Sequence, residues 1–98
     1  MPESKDRTIR AVVYREGDWW IAQCLEVDLV TAQKRREDLP RELRRAVELL
    51  VAGAQQRGVE PFYGYGAAPL RFWKMYEAAS EWTDFASGSG GIDARLAA

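Results

Sequence analysis

The 98-residue chain contains no histidine and a single cysteine, Cys24. Serine and cysteine nucleophiles usually work with a histidine base, and zinc sites usually take imidazole or several thiolates. The commonest hydrolytic and zinc chemistries therefore have no residues to run on. One thiol closes no intrachain disulfide, so nothing marks an oxidising compartment. Long apolar runs are missing as well, and nothing approaches the ~20 apolar residues of a membrane-spanning helix. The opening Met1-Pro2-Glu3-Ser4-Lys5-Asp6 is polar where a secretory leader would be apolar. Nor is there an excess of charge of either sign: fourteen basic and fifteen acidic residues leave a net charge of -1, which disfavours a general nucleic-acid binder. The expectation is a cytoplasmic, non-enzymatic protein with no metal, no cofactor and no membrane attachment.

What is present suits one folded domain. The apolar share of 47% and the charged share of 30% are those of an ordinary globular chain. Thr8 to Arg15 reads as a strand, with Ile9, Ala11 and Val13 on one face and Arg10, Val12 and Tyr14 on the other. Glu16-Gly17-Asp18 is a turn, and Trp19 to Glu26 is a second strand that completes an antiparallel hairpin. Leu29 to Gln33 is a third. Trp20, Ala22 and Cys24 share one side of the hairpin; Trp19, Ile21 and Leu25 share the other. A sheet with one solvated face alternates more cleanly than this, so each face is expected to be covered. One cover is a helix, the other a second helix or another subunit.

After the charged connector Lys34-Arg35-Arg36-Glu37, Asp38 is a candidate N-cap with Pro40 in the first turn. Leu39, Leu43, Ala46, Leu50 and Ala54 recur at helical spacing, and Gly58 stands where a C-cap glycine belongs. Val59 to Tyr63 is a candidate edge strand. A second helix is expected from Pro69 to about Trp82, with a wide apolar stripe: Leu70, Phe72, Trp73, Met75, Tyr76 and Ala79. From Ala86 the Ser-, Gly- and Ala-rich composition predicts a flexible tail. The organisation is thus an arm at 1–7, one α+β domain at 8–85 and a tail at 86–98. Within the domain, 8–56 is a β-β-β-α core and 57–85 a loop and second helix. The sheet is expected to be antiparallel with three strands, or four if the edge strand forms, in the order β-β-β-α-(β)-α, with one helix packed on a face.

Few residues suggest chemistry. Asp18 lies at one end of the second strand and Glu26 and Asp28 beyond the other, about 20 Å apart at ~3.3 Å per residue, so they share no cation. Cys24 falls on a core face, where a thiol is inert. The basic residues Lys34, Arg35, Arg36, Arg41 and Arg45 are candidates for nucleic-acid contact, although Glu37, Asp38, Glu42 and Glu48 are interleaved with them. Four tryptophans and four tyrosines are many for this length, and such rings are enriched at interface hot spots. Trp19, Ile21, Trp73, Tyr76 and Trp82 are the candidate protein-interface residues. The surplus of apolar surface also predicts a homodimer.

The stretch REGDWWIAQCLEVDLVTAQ, Arg15 to Gln33, follows one strand and precedes a leucine-patterned helix. It resembles the HicB-like antitoxin family, whose hairpin carries an aromatic or hydrophobic residue ahead of an Ala-x-Cys segment. Here that segment is Ala22-Gln23-Cys24, followed by Leu25-Glu26. The resemblance spans residues 8–56. It implies a partial ribonuclease-H-like fold, no catalysis, dimerisation, and binding of a small HicA-like ribonuclease toxin. The chain departs from the pattern in two places. Lys34-Arg35-Arg36 stands where the family has a Gly-x-Thr/Ser turn, and the C-terminal DNA-binding domain of many members is expected to be lacking. The likeness is thus to a divergent or orphan member. The alternative reading is a nucleic-acid-binding regulator using residues 34–45. With Trp20 assigned to the core, Trp20→Ala is expected to cost about 3–5 kcal/mol in chemical denaturation; a loss below about 1 kcal/mol would remove the ring from the core.

Overall fold

A computed structural model describes residues 9–60, 62, 64–81 and 92–97. Three strands open the chain: β1 (Ile9–Glu16), β2 (Trp19–Cys24) and β3 (Val30–Gln33). Gly17, at φ 62°, supplies the left-handed residue that the tight β1–β2 turn requires. A 3-10 turn, Arg36–Asp38, leads into α1 (Leu39–Arg57), and α2 (Leu70–Ala78) follows a loop. The last strands are β4 (Ser80–Glu81) and β5 (Ile92–Leu96). The sheet has the order β3-β2-β1-β5-β4, so β1 lies at its centre. The fold is α+β, as its composition and periodicity predict.

The sheet is mixed rather than purely antiparallel. β1 pairs antiparallel with β2, from Ala11↔Cys24 to Glu16↔Trp19, but parallel with β5, from Ile9↔Ile92 to Val13↔Leu96. This corrects the reading of residues 86–98 as a tail. Glycine and serine composition pointed to flexibility, yet Ile92, Ala94 and Leu96 alternate with Asp93 and Arg95 in the two-residue period of a strand. Ile92 and Ala94 are buried against Ile9, Ala11 and Val13. Residues 86–91 and 98, and the arm at 1–7, lie outside the described residues.

The two faces of the sheet carry separate cores. On the first face, Ala11, Val13, Ala22 and Cys24 pack against Leu39 and Leu43 of α1, with Val47 and Leu50 at the margin. On the second face, Val12 and Leu25 pack against Phe72 and Tyr76 of α2. Both predicted covers are therefore helices of this chain. Trp20 sits at the edge of the first core, half-buried, with the Arg15 and Arg36 guanidinium groups 5.5 and 5.6 Å from its ring. Its partial exposure places the loss in Trp20→Ala at the low end of the core range.

Local chemistry sets the helix ends. Gly58 adopts φ 71°, and its N–H reaches the carbonyls of Ala54 and Gln55, which closes α1 as its sequence position predicts. The N–H of Val59 also bonds the Ala54 carbonyl at 3.0 Å. That capping bond takes a donor a strand would need, and the edge strand expected at Val59–Tyr63 does not form among its described residues. Asp38 occupies the N-cap position but makes no side-chain cap bond. Its carboxylate faces Arg35 and Arg41 instead, at 3.9 and 3.6 Å. The second helix is shorter than predicted and ends at Ala78, because Ala79 is extended and leads into β4.

A chain ending at residue 91 loses β5, and with it the nearly complete burial of Ile92 and Ala94 and one hydrogen-bonded edge of β1. Side-chain burial alone makes this worth at least about 3 kcal/mol. Thermal unfolding followed by circular dichroism is expected to show a clear drop in Tm; an unchanged transition would return the segment to the status of a tail.

Candidate protein-docking face

The second face of the sheet is divided along its width. Backbone bonds fix the division: Ala68 N–H donates to the Leu25 carbonyl at 2.9 Å, and Asp28 N–H to the Gly66 carbonyl at 2.7 Å. These bonds pin the loop before α2 to the end of β2. Pro69 then starts the helix, which runs along β1. Phe72 stacks on Tyr14 with ring centroids 6.0 Å apart, and the Trp73 Nε1–H donates to the Ala68 carbonyl at 3.1 Å.

Polar bonds hold α2 on the β1–β5 half. The Tyr76 hydroxyl donates to Asp93 Oδ2 at 2.6 Å, and Arg95 Nη1 donates to the Tyr76 carbonyl at 3.2 Å. The Arg95 guanidinium lies 4.2 Å from the Tyr76 ring centroid. Glu26 accepts from both the backbone N–H and the guanidinium of Arg10, which in turn lies 4.7 Å from the Trp73 ring. Burial first, and then the bond to Asp93, push the Tyr76 phenol above its ordinary value. Each charge in this cluster has a partner, so the cluster anchors the helix.

The part of the same face around Trp19, Ile21, Val30 and Ala32 has no helix over it among the described residues. Trp19 and Ile21 project there from β2, and Ala32 comes beside Ile21 through the β2–β3 register. With Glu16 they line an open depression of about 390 Å³. Trp19 is 45% exposed and Val30, next along β3, is 55% exposed. Lys34 places its ammonium 5.1 Å from the Trp19 ring, on its rim. The surface combines an aromatic anchor with small apolar neighbours and a charged margin, the pattern of a protein contact.

The predicted interface residues thus separate. Trp19 and Ile21 are together in the depression. Trp73 is half-buried and holds the loop before its own helix. Tyr76 is a correction: it is only 6% exposed and is consumed by Asp93 and the sheet. Its interior role rests on β5, a short strand behind a glycine- and serine-rich stretch. Trp82 lies outside the described residues. Val30, Ala32 and Glu16 were not singled out in the sequence. Pairing β3 residues with Trp19 and Ile21 requires the strand register, although the outward parity of Val30 and Ala32 was available from β3 itself.

The candidate nucleic-acid residues occupy one stretch of surface, but much of their charge is matched. Arg35 meets Glu37 at 2.8 Å, and Arg41 lies 3.6 Å from Asp38 and 3.7 Å from Glu42. Lys34 and Arg36 lie over the rings of Trp19 and Trp20. Glu37 is held below its ordinary pKa by its own backbone N–H and then by Arg35. Arg45 is exposed on α1. Of the carboxylates weighed for a cation, Glu26 serves Arg10 and Asp28 accepts from Gln23 Nε2 at 2.8 Å. Among the described residues no cluster of three or more metal-binding side chains occurs, and no helix is long and apolar enough to cross a membrane.

Comparison of the chain with protein-family models, with curated proteins and with solved structures found no match. Cys24 is fully buried, and burial, with a smaller push from Glu26, raises its thiol from an ordinary 9.0 to about 12. A folded pKa above the unfolded one favours the neutral thiol. The stability this confers is complete below the ordinary thiol value and is lost as pH climbs from 9.0 toward about 12. Unfolding free energies measured across that range are expected to fall, and a thiol reagent at neutral pH to label the chain only on unfolding. Rapid labelling of the native protein would contradict the burial of Cys24.

Proposed function

We propose that the chain is a non-catalytic protein-binding module that docks its partner on the second face of the sheet, around Trp19 and Ile21, where no helix lies among the described residues. The observation that carries this reading is the depression bounded by Glu16, Trp19, Ile21 and Ala32, left open by a helix that is pinned to the other half of the same face. The resemblance of residues 8–56 to HicB-like antitoxins suggests the kind of partner: a small HicA-like ribonuclease, blocked by stoichiometric binding in the cytoplasm. Three N-terminal strands followed by a helix on one sheet face agree with that resemblance.

The alternative, a nucleic-acid regulator working through residues 34–45, has less support. The acidic neighbours of Arg35 and Arg41 reduce the field that phosphates would meet. It predicts binding that weakens steeply with added salt.

Ile21→Asp puts a charge into the depression without touching either core, and circular dichroism is expected to be unchanged. Co-expressed with a HicA-like ribonuclease from the same cells, the native chain is expected to restore growth and to form an equimolar complex in native mass spectrometry. Ile21→Asp is expected to weaken that complex by at least about tenfold, or about 1.4 kcal/mol. Failure of the native chain to bind the ribonuclease would remove the toxin reading; equal binding by Ile21→Asp would move the docking site elsewhere.

A further inference from the structure

The depression on the second face reaches an edge of the sheet, because β3 is the outer strand on that side among the described strands. The Cys24 N–H bonds the Leu29 carbonyl at 2.9 Å, and the β2–β3 register from Gln23↔Val30 to Trp20↔Gln33 continues from that bond. Bonded and non-bonded pairs alternate along an antiparallel ladder. Leu29, Thr31 and Gln33 therefore turn their backbone groups toward β2, and the N–H and C=O of Val30 and Ala32 point away from it. Among the described residues none of these four groups has a backbone partner. The side chains of the same two residues are exposed and lie on the second face, with Ala32 lining the depression.

One step past β3 the same register sets Lys34 opposite Trp19, and its ammonium lies 5.1 Å from that ring. No carboxylate among the described residues pairs with Lys34, whereas Arg35 and Arg41 meet Glu37 and Asp38. Asp28, before the other end of β3, is already bonded through its N–H to Gly66 and through its carboxylate to Gln23. The charge left uncommitted beside this edge is therefore positive.

We propose that an extended segment of the partner protein adds to β3 as a further, antiparallel strand, and that this segment carries the order acidic-x-apolar-x-apolar. The proposal rests on the reading of the depression as a docking site and specifies how that site is used. In this register the two apolar residues pair with Ala32 and Val30, satisfy all four outward groups and send their side chains over the second face. The intervening residues, opposite Gln33 and Thr31, project to the first face. The acidic residue comes opposite Lys34, one strand spacing away at about 4.8 Å. Glu16 lies in the same row but three spacings away, about 14 Å, which exceeds the ~8 Å screening length of physiological salt. Attraction to Lys34 thus outweighs repulsion from Glu16. Main-chain bonds supply affinity in this mode, and the alternate side chains supply selectivity.

The probe is a short fluorescent peptide with glutamate-threonine-isoleucine-threonine-valine at its centre, followed by anisotropy. The native chain is expected to bind it. A copy N-methylated at the isoleucine and the valine loses two donors and keeps its side chains, and is expected to bind at least about tenfold more weakly. Ala32→Pro removes one outward N–H and leaves the β2–β3 ladder in place, since proline is tolerated on an edge; a similar loss is expected, with an unchanged circular dichroism spectrum. If that variant misfolds, the methylated peptide still tests the bonds on the native chain. Lys34→Glu is expected to reverse the charge preference and favour a peptide with lysine in place of glutamate. A native chain that leaves the peptide free at about 1 mM would overturn the proposal. So would equal binding of the methylated peptide, undiminished affinity in Ala32→Pro, an unchanged charge preference in Lys34→Glu, or an edge already taken by a second copy, seen as a dimer that Ala32→Pro dissociates. Ile21→Asp separates this mode from the docking site itself. Binding lost in Ile21→Asp but kept in Ala32→Pro leaves the depression as the site and removes the added strand; binding kept in both removes the two together.

Discussion

The structure depends on β1 being apolar on both faces. Ala11, Val12 and Val13 are consecutive and fully buried, so alternation sends one set of side chains to each side of the sheet. A strand of this kind is stable only at the centre of a sheet with a layer on either face. β2 and β5 flank it, α1 covers Ala11 and Val13, and α2 covers Val12. The two cores are separate clusters joined through this one strand. Its backbone is bonded along both edges, since Arg10 accepts from Leu25 on the β2 side and Val13 accepts from Ala97 on the β5 side.

The depression on the second face follows from the way that face's helical cover is fastened. α2 has nine residues, too few to span the sheet, and the 2.7 and 2.9 Å bonds of the preceding loop determine which half it reaches. The bonds among Tyr76, Asp93 and Arg95 hold it there. Had the helix lain across β2, Trp19 and Ile21 would be core residues. Instead they line an apolar depression with Glu16 and Ala32, and Lys34 lies over the Trp19 ring. Among the described residues, the one thiol is buried and kept neutral, and the carboxylates of Glu26 and Asp28 are tied to Arg10 and Gln23.

Periodicity was a sound guide wherever an element buries its own face. The two-residue period located β1, β2 and β3, and the recurrence of Leu39, Leu43 and Ala54 located α1 up to its glycine cap. It also exposed the two-sided apolar character of the hairpin, from which a second cover was inferred. Composition was a poor guide where a short strand follows a glycine-rich stretch. Five residues, Ile92 to Leu96, carry too little pattern to stand out alone, and their pairing with β1 is non-local. Because β5 was missed, the interior role of Tyr76 was missed with it. Trp19 and Ile21 were legible as candidates, since both project to a face the hairpin does not need for its first core.

The chain's own residues thus determined the α+β class, the hairpin, the long helix and its cap, because each rests on short-range sterics and on the spacing of apolar side chains. They also include no histidine. Only the tertiary structure decided that β5 lies parallel beside β1, that α2 covers one half of the second face, and that Glu16, Trp19, Ile21 and Ala32 come together. Those outcomes depend on hydrogen bonds between residues far apart in the chain, such as Leu25 with Ala68 and Tyr76 with Asp93, and spacing along a sequence holds no record of which distant donors and acceptors will meet.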